Sequence, residues 1–281
     1  VAGTIGAVGN NNRGVTGVNW NVSIVNEPTI MVPGGGTWTI SWAASSLNRI
    51  AAMANSGENV RAVNCSWRVD NPTASWFPVL DAFEAIDNAD VMICCSAGNG
   101  NANNDNLQRL PSCYGIENNR TLTLDSIRRI RLSNMISVAA HDRQGNHCDF
   151  SNWSATLVHI TAPGDAIRST LPNNRYGYKR GTSMSTPHVT GAVGLLSSIF
   201  PNATTQQIRN AILNSTSPMI QRTPVGSNRC SNCPRPIANG RLNVSAAAAL
   251  LGGGTTPSNN SVSITDVDFN LVEANNHPSA G

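Results

Sequence analysis

The segment with the clearest chemical potential is residues 181–189, which read Gly-Thr-Ser-Met-Ser-Thr-Pro-His-Val. Proline is tolerated in the first turn of a helix, because its missing N–H would have no partner there. Pro187 therefore predicts the start of a helix, with Ser183 at its amino end. Backbone N–H groups and the helix dipole favour a developing negative charge at that position. A serine placed there and supplied with a base can act as the nucleophile of acyl transfer.

A simpler interpretation of Ser183 is a helix cap, since serine is among the preferred N-cap residues. On composition alone the cap is the commoner role. The motif also differs from the Gly-x-Ser-x-Gly nucleophile elbow, because Ser185 occupies the position of the second glycine. That difference disfavours an esterase-like α/β hydrolase, but it leaves nucleophile and cap both open.

The elements that must position Ser183 alternate between short apolar runs and longer helical patterns, which is typical of parallel β-α-β units. Residues 91–95 (Val-Met-Ile-Cys-Cys) are apolar throughout. This is expected of a strand covered on both faces, with Cys94 and Cys95 as buried thiols. Strands are predicted at residues 22–25, 60–65, 91–95, 135–140 and 157–161.

Residues 187–200 are apolar nearly all round and therefore predict a buried helix. Further helices are predicted at residues 40–53, 79–86, 205–213 and 243–251, with Thr204 or Thr205 as a cap. One α/β domain is expected over residues 1–251. A Gly/Ser/Thr/Pro-rich linker and the start of a C-terminal extension are expected at residues 252–281.

Composition excludes several classes of function. Of 281 residues 40% are hydrophobic and only 12% charged, and the net charge of +3 is too small to favour binding to a phosphate backbone. No run approaches the roughly 18–20 apolar residues that span a bilayer. The balance suits an extracellular enzyme, and no nucleic-acid or membrane partner is expected.

The cysteines favour structure over metal chemistry. Cys230 and Cys233 form a lone C-x-x-C without the second pair that a zinc site needs. A disulfide among the Cys230/Cys233 region, Cys113 and Cys148 is the more plausible role in an oxidising compartment. Its connectivity cannot be deduced from spacing, and no metal ligands are assigned.

Residues 181–189 closely resemble the serine box of the subtilase family, the subtilisin-like serine proteases. The resemblance extends over nearly the whole chain to about Leu251, in the family's order and spacing. It includes residues 1–7, 96–99, 150–152, 161–164 and 239–243. It implies a three-layer subtilisin-like α/β fold, with a central, mainly parallel sheet flanked by helices.

The resemblance implies a role for two residues in catalysis. Ser183 would be the nucleophile, and Asn99 would donate its side-chain amide to the tetrahedral oxyanion together with the backbone N–H of Ser183. Taken alone, Asn99 reads equally well as a turn residue after Gly98.

The substrate channel is also implied by the resemblance. Ser66 and Trp67 would form one side of the channel and Gly34 and Gly35 the facing side, with an extended peptide between them. The pocket for the residue before the scissile bond would be lined by Ser96, Ala97 and Gly98. Arg68 stands where the family usually has glycine, which leaves the specificity open.

The family's catalytic histidine would precede Val1, and its catalytic aspartate would lie further upstream. The histidines of the chain match no catalytic position: His141, His147, His159, His188 and His277. We therefore expect an N-terminally truncated serine endopeptidase, inactive as this polypeptide and active at full length. The alternative is a pseudo-protease that serves as a binding or scaffold domain.

The resemblance also implies what accompanies the reaction. A peptide or protein substrate, a monomer and a secreted location are expected, and no cofactor is required. Structural calcium is possible at residues 8–15, a loop similar to a family calcium loop, where Asn11 offers a side-chain oxygen.

Overall fold

The computed structural model describes residues 1–27, 40–70, 72–107, 109–114, 132–220 and 237–253. The helices in these ranges are α1 (Ala2–Gly6), α2 (Ile40–Asn55), α3 (Phe77–Asn88), α4 (Thr182–Ile199), α5 (Thr205–Asn214) and α6 (Val244–Leu251). The strands are β1 (Ala62–Cys65), β2 (Val69–Asp70), β3 (Met92–Ser96), β4 (Arg109–Leu110), β5 (Met135–His141), β6 (Ile160–Pro163), β7 (Ile167–Leu171), β8 (Arg175–Lys179) and β9 (Gly240–Arg241). None of the described helices is both long and apolar enough to cross a bilayer.

A parallel sheet of strand order β1-β3-β5-β6-β9 forms the centre of the fold. Every residue of β3 and β5 is buried, because both faces of the sheet are covered. Two antiparallel pairs, β2 with β4 and β7 with β8, lie outside this sheet.

The two faces of β3 build two separate hydrophobic cores. Ile93 and Cys95 pack with α2 and α3 around Phe83, which is fully buried. Met92 and Cys94 point to the other face, where α4 packs through Val189 and α5 and α6 complete the layer. Helices on both faces of one parallel sheet make the three-layer α/β architecture that the sequence predicted.

Most of the predicted elements are present, with shifted ends. Thr204 caps α5, where its hydroxyl accepts from the Gln207 N–H and the Gln207 side chain accepts from the Thr204 N–H. Cys94 and Cys95 are fully buried thiols, and burial raises the pKa of Cys94 to about 12. The strand predicted at residues 157–161 begins only at Ile160.

The strand predicted at residues 22–25 was wrong, because this segment has no regular secondary structure. Its apolar residues suggested burial in the sheet. Instead Val22 packs against Gly6 of α1, while Ile24 and Val25 are exposed.

Of the cysteines predicted to pair, Cys230 and Cys233 lie outside the described residues, so that disulfide stays a prediction.

The carboxyl ends of the parallel strands meet at one edge of the sheet, where α/β proteins commonly place their sites. β1 leads into Ser66, β3 into Ala97 and β6 into Gly164. The Gly181 N–H, just before α4, donates to the Gly164 carbonyl over 2.8 Å. The sheet edge therefore holds the amino end of α4 directly.

Gly164 is a position where only glycine fits. A Cβ there would lie 2.5 Å from the Ala140 Cβ and would also overlap the Ser185 hydroxyl. We expect Gly164→Ala to lower the free energy of unfolding by about 1–3 kcal/mol, through overpacking. Chemical denaturation followed by circular dichroism measures the change.

Gly100→Ala is the matched control, because a Cβ at Gly100 meets only the Asn152 Oδ1, at an ordinary 3.5 Å. Its effect should stay within about 0.5 kcal/mol, apart from the general preference between glycine and alanine. Equal effects of the two substitutions would contradict the close packing at Gly164.

Candidate active site

The amino end of α4 presents Ser183 at the edge of the sheet. Gly181 precedes the helix with a φ of 139°, a backbone conformation that favours glycine. Ser183 is the second residue of α4 and is half-buried, whereas its neighbours Thr182 and Ser185 are buried. The predicted nucleophile therefore lies in the first turn, where helix N–H groups have no partner within the helix.

Pro187 lies inside α4 rather than in its first turn, so that part of the prediction was wrong. The helix begins at Thr182, five residues earlier. Because proline has no N–H, it cannot donate to the carbonyl of Ser183 four residues before it. That carbonyl accepts instead from the Ser66 hydroxyl, over 3.0 Å.

Ser66 and Ser183 form a reciprocal pair, because the Ser183 hydroxyl donates to the Ser66 carbonyl over 3.1 Å. The Ser66 hydroxyl also accepts from the Asn64 Nδ2, at 2.8 Å. The Asn64 Oδ1 accepts in turn from the Thr190 hydroxyl, at 2.9 Å. This chain of hydrogen bonds joins the end of β1 to α4 at two positions, Ser183 and Thr190. It holds the turn that carries Ser183.

Asn99 follows β3 and is oriented by α4. Its Oδ1 accepts from the N–H and from the hydroxyl of Thr182, over 2.8 and 2.9 Å. With the oxygen engaged in this way, the amide NH₂ remains as the donor. The Nδ2 lies 3.3 Å from where a Cβ on Gly181 would be, so a donor and the Ser183 turn are brought together.

The predicted walls of the substrate channel are joined to each other and to α4. The Ser96 hydroxyl donates to the Trp67 carbonyl, at 3.4 Å. The Gly98 N–H donates to the Thr182 hydroxyl, at 3.2 Å. The Trp67 ring packs on Phe83 with 5.9 Å between centroids, which anchors this wall in the core.

Two predicted site residues, Gly34 and Gly35, lie outside the described residues, so the facing wall stays a prediction. Ala97, which follows β3, is fully buried, and its predicted role in lining the pocket stays a prediction. Arg68, which stands where the family usually has glycine, is exposed and pairs with Asp70 over 3.0 Å.

Sequence reasoning missed Arg109, which also donates to Asp70 and whose guanidinium lies against Gly98. Only tertiary proximity could reveal that contact.

The histidines of the described residues make structural contacts. The His188 Nδ1 lies 2.9 Å from the Met184 carbonyl, and burial lowers the pKa of His188 to about 4, so the ring is neutral at pH 7. His141 and His159 are buried and hydrogen-bond to backbone groups through their Nδ1 atoms. None of these contacts involves Ser183.

The proposed calcium loop at residues 8–15 offers a poor donor set. It contains no carboxylate, and the Asn11 Oδ1 accepts from the Arg13 N–H at 3.1 Å. Within the described ranges no group of three or more His, Cys, Asp or Glu side chains is placed to hold a metal ion. The described residues of this loop do not by themselves fit a calcium ion.

A parallel α/β fold with a serine at a helix amino end and an amide donor beside it is the architecture of a serine hydrolase. The model of the subtilase family matches residues 1–254, so the chain belongs to the subtilase family.

Similar proteins are proteases. Alkaline elastase YaB of Bacillus sp. (strain YaB) is 31% identical over 81% of this chain. Subtilisin DY of Bacillus licheniformis and thermitase of Thermoactinomyces vulgaris are each 31% identical, over 75% and 76% of the chain. The chain spans 51% of the length of the elastase and 67% and 64% of the other two.

Solved structures agree with the fold. A protease of Pseudoalteromonas arctica PAMC 21717 matches with a TM-score of 0.67 at 23% identity, covering 89% of this chain and 69% of that one. The patellamide maturation protease PatA matches with a TM-score of 0.57 at 27% identity, covering 78% of this chain and 71% of that one. The subtilisin-like fold predicted from the sequence is confirmed.

Proposed function

We propose that the protein is a serine endopeptidase that hydrolyses peptide bonds through an acyl-enzyme on Ser183. The observation that carries the proposal is the pairing of two groups at one helix end. The Ser183 hydroxyl lies in the first turn of α4, and the Asn99 amide is turned by Thr182 so that its NH₂ is available to an anion.

The proposed reaction uses these two groups in sequence. The Ser183 Oγ attacks the substrate carbonyl carbon, its proton passes to a base, and the carbonyl oxygen becomes an oxyanion. The Asn99 Nδ2–H and the Ser183 backbone N–H donate to that oxyanion. The C–N bond then breaks, the amine leaves with the proton, and water hydrolyses the ester on Ser183.

The base in this proposal is a histidine supplied by polypeptide that precedes Val1, with an aspartate further upstream. α1 supports this placement, because it packs on α4 where the Ile5 carbonyl meets Gly191. The start of the chain therefore lies beside the helix that carries Ser183.

A fluorophosphonate probe tests the proposal, since an activated serine displaces its fluoride and keeps the phosphonyl group. We expect the full-length protein to be labelled on Ser183, and the 281-residue chain to remain essentially unlabelled because its serine lacks a base. Peptide mapping of the labelled protein identifies the residue.

Two outcomes would contradict parts of this proposal. Efficient labelling of Ser183 in the 281-residue chain would show that no upstream histidine is needed. A folded full-length protein that binds peptides but is never labelled would favour the pseudo-protease alternative, a binding or scaffold domain.

We further propose that the protein is secreted and acts as a monomer on peptide or protein substrates, without a required cofactor. The low content of charged residues (12%) and the polar composition support an extracellular enzyme. Any structural calcium would need carboxylates from outside the loop of residues 8–15.

A further inference from the structure

A buried arginine lies beside the predicted pocket for the residue that precedes the scissile bond. Arg109 is only 7% exposed and belongs to β4, which pairs with β2 so that Arg109 lies opposite Asp70. Its Nε donates to the Asp70 carboxylate. Its Nη1 is buried and has no hydrogen-bond partner among the described residues. A buried guanidinium N–H without a partner is costly, and such groups recur where a ligand supplies the acceptor.

The unpartnered Nη1 lies directly against the pocket wall. It is 2.6 Å from where a Cβ on Gly98 would be, so only glycine leaves room for the guanidinium. The Gly98 N–H donates on its other side to the Thr182 hydroxyl, next to Ser183. Gly98 therefore contacts both the guanidinium of Arg109 and the turn that carries Ser183.

Within the part of the chain that the structure describes, the ion pairs at this position leave one positive charge unmatched. Arg68 and Arg109 both donate to Asp70, so two guanidinium groups share one carboxylate. Partial burial raises the pKa of Asp70, but the hydrogen bonds and charges of the two arginines outweigh that effect and hold the pKa below its ordinary value. Asp70 is ionised at neutral pH, and the group of three keeps one positive charge.

Hydrogen bonds hold the pocket wall around Arg109 rigidly. A rigid wall favours selection among substrate side chains over adaptation of the pocket to each of them. The Asn152 N–H donates to the Gly98 carbonyl at 2.9 Å, and its side chain donates to the Asn104 Oδ1 at 2.8 Å. The Asn104 Nδ2 in turn donates to the Ala97 carbonyl, at 3.0 Å. The pocket wall beside Arg109 is therefore fixed by buried amides.

We propose that Arg109 selects substrates with an acidic side chain, glutamate or aspartate, at the position before the scissile bond. The inference rests on the proposed peptidase function, which makes residues 96–98 a substrate pocket. A substrate carboxylate there would accept from the Nη1 and neutralise the excess charge shared with Asp70. Guanidinium donates to a carboxylate in a fixed planar geometry, so an amide of the same shape is a poorer ligand.

Binding to the 281-residue chain tests the pocket without requiring catalysis. Tetrapeptides that differ only in a C-terminal Glu, Gln or Leu are titrated by calorimetry. We expect the Glu peptide to bind about 10- to 100-fold more tightly than the Gln peptide, as for a hydrogen bond to a charged group. Equal affinities for Glu and Gln, or a preference for Leu, would overturn the proposal on the unaltered chain.

Variants then assign the effect to Arg109. Arg109→Gln should abolish the preference for Glu. Arg68→Gln removes the same charge from the same carboxylate but is exposed, so it should change the preference by less than about threefold. Arg109→Lys keeps the charge and provides a second test should Arg109→Gln fold poorly, with circular dichroism as the check. Equal losses in the Arg68 and Arg109 variants would mean that general charge, and not Arg109, sets the preference.

Cleavage by the full-length protein separates failure of the pocket from failure of the catalytic proposal. Peptide substrates with Glu, Asp, Gln or Leu before the cleaved bond are compared by kcat/KM. Cleavage with a preference for Leu that Arg109→Gln leaves unchanged would overturn the role of Arg109 and keep the peptidase. Binding of Glu peptides that depends on Arg109, with no cleavage of any substrate, would keep the pocket and overturn the peptidase.

Discussion

Replacing Ser183 by alanine is expected to lower the turnover of the full-length protein by about 10⁶-fold, leaving its fold intact. The alanine removes the atom that forms the acyl-enzyme, and the remaining groups provide only binding and oxyanion stabilisation. The magnitude is that of subtilisin, carried over to this member of the family. Hydrolysis of a peptide substrate measures the loss, and the fluorophosphonate label should disappear with it.

Ser185→Ala is the matched control, two residues further along α4. The Ser185 hydroxyl is buried and has no hydrogen-bond partner among the described residues. Its removal should leave turnover within about threefold of the unaltered protein and should not destabilise it by more than about 1 kcal/mol. Activity that survives Ser183→Ala but not Ser185→Ala would show that the nucleophile has been misassigned.

Replacing Asn99 by aspartate is expected to lower turnover by at least about 10²–10³-fold, the cost of losing one oxyanion donor in subtilisin. Aspartate keeps an oxygen where Thr182 donates, so the anchor to α4 is retained. It removes the Nδ2–H donor and places a negative charge near the developing oxyanion. The expected loss is therefore in kcat, with little change in KM or in the midpoint of thermal unfolding.

Two further variants separate the loss of the oxyanion donor of Asn99 from the loss of the hydrogen bonds that anchor Asn99 to α4. Asn99→Ala removes both, so it should lose turnover and also stability, because Thr182 loses its acceptor. Asn101→Asp adds the same charge at an exposed position two residues away, and it should change turnover by less than about threefold. If both aspartate variants lose activity equally, the effect is one of charge and the oxyanion role of Asn99 is contradicted.

The sequence predicted the framework well, because burial leaves a clear mark on composition. A strand covered on both faces must be apolar throughout, as residues 91–95 are, and β3 is fully buried. A helix apolar on nearly all sides must lie between a sheet and other helices, as α4 does. The family resemblance added the three-layer arrangement of the sheet and its flanking helices, whereas the order of the strands came only from the structure.

The errors came where distant contacts override local rules. Pro187 was predicted in the first turn of its helix but lies inside it. The Ser183 carbonyl, to which proline cannot donate, accepts instead from the hydroxyl of Ser66, which is 117 residues from Ser183 in the sequence. The apolar residues 22–25 resemble a strand, yet the segment has no regular structure in the fold. For Pro187 the deciding partner is remote in the sequence, so no local pattern could show it.

By itself the sequence determined the α/β class and the buried helix, since these follow from the hydrophobic pattern. The resemblance of its motifs to the subtilase family identified Ser183 and Asn99 as the pair to examine. Tertiary structure decided how that pair is oriented and what surrounds it. The Thr182 N–H donates to the Asn99 Oδ1 and so orients the amide. The Ser66 hydroxyl donates to the Ser183 carbonyl, and the Arg109 guanidinium packs against Gly98. Hydrogen bonds and charges act over a few ångströms in space, and only the folded chain brings such residues that close.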